Sequence, residues 1–187
     1  MPSEGASTGV PVILTVECPP MSAALDSCQG CGRAGGRKAC QDTFNDVSLR
    51  VRALAWTDSL KTWRLMHDVY ALQHPADLCQ SFKDLITHLG GVAWFIEYDG
   101  SERGHRALQQ LAGRDGWQHQ PYPPPPGLPE NRGTVVVSSL ERLSEPPLLV
   151  SGIDRWARAT WLAYAPLQAM ARDWIQQALL LASDKKH

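Results

Sequence analysis

The chain has 187 residues, of which 43% are hydrophobic and 20% are charged, and its formal net charge is -1. This size and composition predict one globular domain with its own hydrophobic core. The chain has no basic excess, and no apolar run reaches the roughly 18 residues that a membrane span needs. We therefore expect neither a nucleic-acid partner nor a membrane, and a protein partner stays open.

The amino-terminal segment, residues 1–26, contains no lysine or arginine, and its one short apolar stretch is interrupted by Pro11. A secretory signal peptide needs a basic start and a longer apolar core. We predict a disordered or extended leader, with Cys18 in it as an ordinary thiol. The protein is then expected to be cytoplasmic, where thiols stay reduced and clustered cysteines favour metal binding.

Three of the five cysteines lie within residues 28–40. Cys28 and Cys31 form a CxxC motif, and a glycine-rich stretch follows as far as Cys40. A CxxC motif lets two thiolates reach one tetrahedral ion from a tight turn. A thioredoxin-like redox pair would instead need a helix that starts inside the motif. The sequence therefore predicts an amino-terminal zinc loop.

The next segment predicts two amphipathic helices, because its apolar residues recur at three- and four-residue spacing. The first runs from Asp42 to about Trp56, and the second ends at His74, since Pro75 restricts the residue before it. The short connection predicts antiparallel packing. Two helices of about 16 residues run roughly 24 Å out and back, which should return His74 to the level of Cys40.

The rest of the chain predicts further helices around one proline-rich insertion. A third helix is expected from Asp77 to Phe95, a fourth over residues 103–112, and a long pattern over residues 153–182 that breaks at Pro166. Residues 121–147 hold 8 of the 14 prolines and predict a loop with a short extended piece at residues 134–137. The fold class is all-α, a bundle of five or six helices. Its one domain spans residues 27–182, and residues 183–187 form a tail.

The predicted hairpin suggests the fourth metal ligand. Cys28, Cys31, Cys40 and His74 would fill all four positions of a tetrahedral shell, as in structural zinc sites. Cys79, near the start of the third helix, is the competing ligand, and His88 lies farther along that helix. His74 could instead cap its own helix through a hydrogen bond to a carbonyl. Asp68 could orient a histidine or pair with Arg64, one helical turn away, and the pairing with Arg64 is the default.

Three kinds of function are compatible with these patterns. The sequence has neither an HExxH motif nor a phosphate-binding glycine loop, so a non-enzymatic adaptor or interaction role around a structural zinc is the first. The second is a metal-dependent hydrolase or transferase of the DinB-like helical-bundle type, using His67, His74 and His88. The third is a binding module for a peptide or small ligand, formed by the proline-rich loop and the tryptophans.

Several motifs together resemble a bacterial family, the domain-of-unknown-function family 5946. They are CQGCG at residues 28–32, HDVYALQHP at residues 67–75, ITHLGG at residues 86–91 and WARATWLAYAP at residues 156–166. The resemblance covers about residues 28–180, and Trp63 stands where the family carries a histidine. It implies that Cys28, Cys31, Cys40 and His74 act as a set, with His88 as a further member, and it implies no activity.

Overall fold

The structure is a computed structural model that describes residues 27–54, 56–113 and 128–184. These residues form seven α-helices: α1 Gly36–Arg52, α2 Trp56–Gln73, α3 Pro75–Leu78, α4 Phe82–Glu97, α5 Glu102–Ala112, α6 Pro146–Ala163 and α7 Gln168–Asp184. The β-type pairing in the described residues is a single antiparallel bridge between Ser27 and Ala34. The predicted all-α fold is confirmed.

Helix α4 lies at the centre of the bundle and packs against α2, α5, α6 and α7. Its middle section is buried on several sides, including the glycine pair Gly90 and Gly91, which allows close approach of neighbouring helices. Four tryptophans contribute to the core: Trp94, Trp156, Trp161 and Trp174. Large aromatic rings contribute most to a core when they are removed from water, so these four stabilise the bundle.

Two helix starts differ from the prediction. Helix α1 begins at Gly36 instead of Asp42, after Gly35 with a φ of 85°, so Cys40 lies inside the helix. The predicted third helix is divided into the single turn α3 and the longer α4. Pro75 starts α3 directly after α2, and the Ser81 side chain caps α4 by accepting a hydrogen bond from the Asp84 amide. The longer helix therefore begins at Phe82 and not at Asp77.

The carboxyl-terminal part also begins its helix earlier than predicted. Pro146 and Pro147 open α6, because the first helical turn does not need their missing amide hydrogens. Pro166 breaks the long pattern as predicted, with a 3-10 helix at Ala165–Leu167 between α6 and α7. A second 3-10 helix covers Val137–Leu140, and Val136 before it is extended.

Some predictions fall outside the described residues. They are the leader at residues 1–26 with Cys18, residues 121–127 of the proline-rich loop, and residues 185–187 of the tail. Helix α7 extends to Asp184, so the first two residues of the predicted tail are helical. Among the described residues, no helix combines the length and the apolar character that a membrane span requires.

Candidate metal centre

Four potential ligands converge where the amino-terminal loop meets the ends of α1 and α2. They are Cys28, Cys31, Cys40 and His74, and their ligand atoms all lie within 4.8 Å of one another. His74 Nε2 is 3.4 Å from Cys28 Sγ and 3.3 Å from Cys40 Sγ, and Cys31 Sγ is 3.5 Å from Cys40 Sγ. A tetrahedral zinc shell separates its sulfur and nitrogen ligands by about 3.5 to 3.8 Å. The spacing is therefore compatible with a bound ion.

The antiparallel pairing of α1 and α2 brings Cys40 and His74 together. Three contacts show that the helices run in opposite directions. Cys40 contacts His74 just after α2, Phe44 contacts Tyr70, and Arg52 contacts Trp63. This is the arrangement predicted from the short connection between two helices of similar length. Cys40 reaches the site from within the first turns of α1, not from the loop before it.

The loop around Cys28 and Cys31 folds into a tight turn against His74. The Cys28 amide donates to the Arg33 carbonyl and the Gly32 amide donates to the Cys28 carbonyl, each at 2.7 Å. Gly32 has a φ of 73°, which a glycine adopts without a steric penalty. A Cβ added to Gly30 would lie 2.2 Å from His74 Cδ2. The loop therefore approaches the imidazole too closely for any side chain at this position.

The orientation of His74 is set by its own helix. His74 Nδ1 lies 2.8 Å from the Tyr70 carbonyl oxygen, and a carbonyl can only accept, so Nδ1 carries the hydrogen. The lone pair is then on Nε2, which faces the sulfurs of Cys28 and Cys40. Metal-binding histidines generally show this pattern of one nitrogen donating to a carbonyl while the other binds. His74 is 1% exposed, which fits a buried ligand.

The thiols of the cluster are electrostatically coupled. The hydrogen bond with Cys31 lowers the pKa of Cys40, although burial opposes this change. The same hydrogen bond to Cys40, together with burial, raises the pKa of Cys31. The site thus favours one thiolate but resists a second one beside it. Only a nearby cation would allow all the thiols to ionise together.

A second layer of polar side chains surrounds the cluster. Tyr70 stacks on Phe44, and its hydroxyl lies 3.5 Å from Cys40 Sγ and accepts a hydrogen bond from Arg37. Arg37 also pairs with Asp77 of α3 at 2.7 Å. These contacts connect α1, α2 and α3 around the cluster and fix the orientation of the Tyr70 ring. The sequence pattern had given no indication of the roles of Tyr70 and Arg37.

The loop also contacts the segment that precedes α6. Arg33 pairs with Glu141 at 2.6 Å, and Glu141 accepts a hydrogen bond from the Thr43 hydroxyl of α1 at 2.9 Å. A cleft of about 390 Å³ lies beside the cluster, lined on one side by Cys28 and Cys31 and on the other by residues 130–133. The loop is therefore one wall of a surface depression.

The competing ligands lie elsewhere. Cys79 is not in the cluster; its sulfur is 3.9 Å from the Ala71 carbonyl, and burial raises the pKa of its thiol to about 11. His88 Nδ1 pairs with Asp68 Oδ1 at 2.8 Å, so Asp68 pairs with a histidine of α4 and not with Arg64. The default of a partner one turn away was wrong, because α4 brings His88 within hydrogen-bond distance of Asp68 across the helix interface.

The three histidines of the hydrolase alternative are in separate environments. His74 faces the cysteines, His88 is paired with Asp68, and His67 packs against the rings of Phe44 and Trp63. In the part of the chain that the structure describes, the cysteine and histidine cluster is the one group of three or more potential ligands. His67, His74 and His88 thus do not form a shared ligand set.

The comparisons with known proteins give one match. A family model described as "Family of unknown function (DUF5946)" matches residues 26–165, which include all four members of the cluster and the Asp68 and His88 pair. This match confirms the resemblance drawn from the motifs. No curated protein and no solved structure matches the chain.

Proposed function

Because this chain belongs to DUF5946, a family of unknown function, we propose its function from the chemistry of its own site. Cys28, Cys31, Cys40 and His74 hold a structural zinc ion that fastens the amino-terminal loop to the α1 and α2 hairpin. The observation that carries the proposal is the convergence of these four ligand atoms within 4.8 Å. Three thiolates and one imidazole are a donor set that zinc prefers in tetrahedral structural sites.

The surroundings of the four residues support a metal over an accidental cluster. Cys28, Cys40 and His74 are at most 1% exposed, and burying thiolates without a cation is costly. His74 presents its free nitrogen to the sulfurs because Tyr70 holds the other one. Gly30 leaves the space that the imidazole occupies. These features all favour one metal-bound arrangement of the loop.

The complete ligand set favours a structural and not a catalytic role. Four protein ligands fill a tetrahedral shell, which leaves no position for a substrate or an activated water. The ion would stabilise a loop that forms one wall of a surface cleft. We therefore propose that the protein is a cytoplasmic adaptor or interaction module, in which zinc maintains the shape of this surface.

The metal content of the purified protein tests the proposal. We expect about one zinc per chain by elemental analysis, and its loss in the Cys28→Ser variant, because the thiolate is a ligand. Cys79→Ser is the matched control, since it removes a partly buried thiol outside the cluster and should retain the zinc. Wild-type protein without metal, or equal zinc loss in both variants, would contradict the proposal.

Cobalt substitution tests the donor set. A tetrahedral site with three thiolates gives Co²⁺ intense visible bands and sulfur-to-metal charge-transfer bands in the near ultraviolet. We expect these bands in the wild type and in Cys79→Ser. Weak bands of an octahedral oxygen-ligated ion would show that the four residues are not the ligands.

A further inference from the structure

We propose that the metal centre is also a modification site for peroxides, in which Cys31 is oxidised first and Cys40 then closes a disulfide with it. The inference rests on the proposed zinc function and adds the chemical class of reactant and the order of the two thiols. Cys31 is the partly exposed thiol of the site, and the buried Cys40 thiol lies beside it.

Cys31 is the accessible member of the set. It is partly exposed, whereas Cys28, Cys40 and His74 are 1%, 0% and 1% exposed. The Cys31 side of the loop faces the cleft of about 390 Å³, which is large enough to admit a small peroxide. A reactant of this size would therefore meet Cys31 before it meets the other ligands.

The proposed zinc function accounts for the nucleophilic form of Cys31. In the zinc-loaded protein its sulfur would be a thiolate, because cysteine binds zinc in that form. The thiolate is the form of cysteine that attacks an oxidant, so Cys31 would not need to lose a proton first.

Cys40 is placed to complete the reaction. Its sulfur lies 3.5 Å from Cys31 Sγ, whereas a disulfide requires about 2.05 Å. The two sulfurs must therefore approach each other by roughly 1.5 Å. Cys31 is the partly exposed partner, so its side chain is the one with space to change its torsion angles. Cys40 is held in place because α1 buries it completely.

The reaction is balanced with hydrogen peroxide as the oxidant. The Cys31 thiolate attacks one peroxide oxygen, so an S–O bond forms, the O–O bond breaks and hydroxide leaves, giving a sulfenic acid. The Cys40 thiolate then attacks the Cys31 sulfur, so the S–S bond forms, the S–O bond breaks and a second hydroxide leaves. Two protons from solvent convert both hydroxides to water. The two sulfurs together lose two electrons, which the peroxide gains.

Oxidation would change how the loop is attached. A disulfide between Cys31 and Cys40 removes two of the four ligands, leaving Cys28 and His74, which are too few to retain a structural zinc. The loop stays covalently joined to α1 but loses its attachment to His74 at the end of α2. The wall of the cleft formed by the loop would then separate from the wall formed by Gln73 and residues 130–133.

The test treats the zinc-loaded full chain with hydrogen peroxide. Zinc release is followed with a chromophoric chelator, and disulfides are mapped by peptide mass spectrometry after the free thiols are blocked. We expect about one zinc released per peroxide consumed, with Cys31 and Cys40 linked and Cys28 blocked as a free thiol. Dithiothreitol should restore zinc binding, because it reduces the disulfide.

The mapping uses the wild type, so it does not depend on a variant that loses a ligand. Cys79→Ser serves as the control and should release zinc at the wild-type rate. Protein that holds no zinc before oxidation would overturn both the proposed function and this inference. Protein that holds zinc but retains it through about a tenfold excess of peroxide, or that links Cys28 to Cys31, would overturn this inference alone.

Discussion

At the scale of single residues, Gly30 matters because its lack of a side chain leaves space for the His74 imidazole. A Cβ at this position would lie 2.2 Å from His74 Cδ2 and 2.7 Å from the Gln73 carbonyl oxygen. The carbonyl belongs to the helical backbone of α2 and cannot rotate away as a flexible side chain would. The loop and the imidazole could then no longer occupy their present positions together.

Replacing Gly30 with alanine should therefore weaken zinc binding although no ligand is changed. We expect an affinity lower by about 10- to 100-fold, the usual effect of displacing a group that positions a ligand. Competition with a chelator of known zinc affinity measures this change. Gly113→Ala is the control, because the nearest atom to its added Cβ is 3.5 Å away. Equal affinities for the two variants would show that Gly30 does not constrain His74.

Asp68 is the second residue whose setting has a measurable consequence. It is 9% exposed, and its Oδ1 pairs with His88 Nδ1 while its Oδ2 has no hydrogen-bond partner and lies against Gly91. Burial by itself would lower the pKa of His88, but the hydrogen bond and the charge of Asp68 raise it above the ordinary value. The ion pair is therefore strongest when His88 is protonated.

The contribution of Asp68 to stability should depend on pH. A histidine whose pKa is raised on folding stabilises the protein fully below its unfolded pKa of about 6.5, and the effect is lost as pH rises through the folded pKa. Burial lowers the pKa of His67 and of His105, and the charge of Asp68 opposes this change. Asp68 therefore favours the protonated form of these two histidines as well. Asp68→Asn should thus destabilise the protein more at about pH 5.5 than at about pH 8.5.

Urea denaturation of the wild type and of Asp68→Asn at both pH values measures the difference. Titration of groups far from Asp68 affects both proteins alike and cancels in the comparison. A loss of stability that is the same at both pH values would mean that Asp68 does not interact with a protonated histidine in the folded protein.

At the scale of elements, hydrophobic periodicity predicted the helices that carry long apolar faces. Apolar spacing predicted the region of α2. Glycine chemistry predicted the end of α5 at Ala112, and proline chemistry predicted the break at Pro166. The start of α1 did not, because residues 36–41 have no apolar periodicity and this turn is held by contacts such as those of Arg37 with Tyr70 and Asp77. Such contacts join distant segments and leave no local pattern.

The site was more predictable than the helix boundaries around it. The CxxC motif and the antiparallel pairing of two helices together predicted that the four cluster members meet. This prediction held although the predicted start of α1 was wrong by six residues. A histidine partner for Asp68 was the second choice after Arg64, and His88 was not identified as that partner, because the pairing depends on how closely α2 and α4 approach at Gly91. A sequence pattern indicates which face of a helix is buried, but not which polar residues meet across it.

At the scale of the whole molecule, most of the core does not involve the metal centre. Helices α2, α4, α5, α6 and α7 pack against one another around buried residues such as Trp156 and Trp174. Helix α1 has an additional attachment, because Arg50 donates hydrogen bonds to the carbonyl oxygens of Leu140, Glu141 and Leu143. The amino-terminal loop, by contrast, is held mainly at the cysteine and histidine cluster and by Arg33.

Removal of zinc should therefore loosen the loop and leave the bundle folded. We expect the chelated protein to keep most of its helical circular dichroism, while amide exchange rises sharply in residues 27–40. Its free energy of unfolding should fall by about 4 kcal/mol relative to protein with free zinc at about 1,000 times the dissociation constant, because only the folded state binds the ion. Hydrogen exchange by mass spectrometry and denaturation with and without zinc measure both effects. Cys28→Ser should match the chelated wild type, whereas a general loss of helicity on chelation would show that the bundle core depends on the metal.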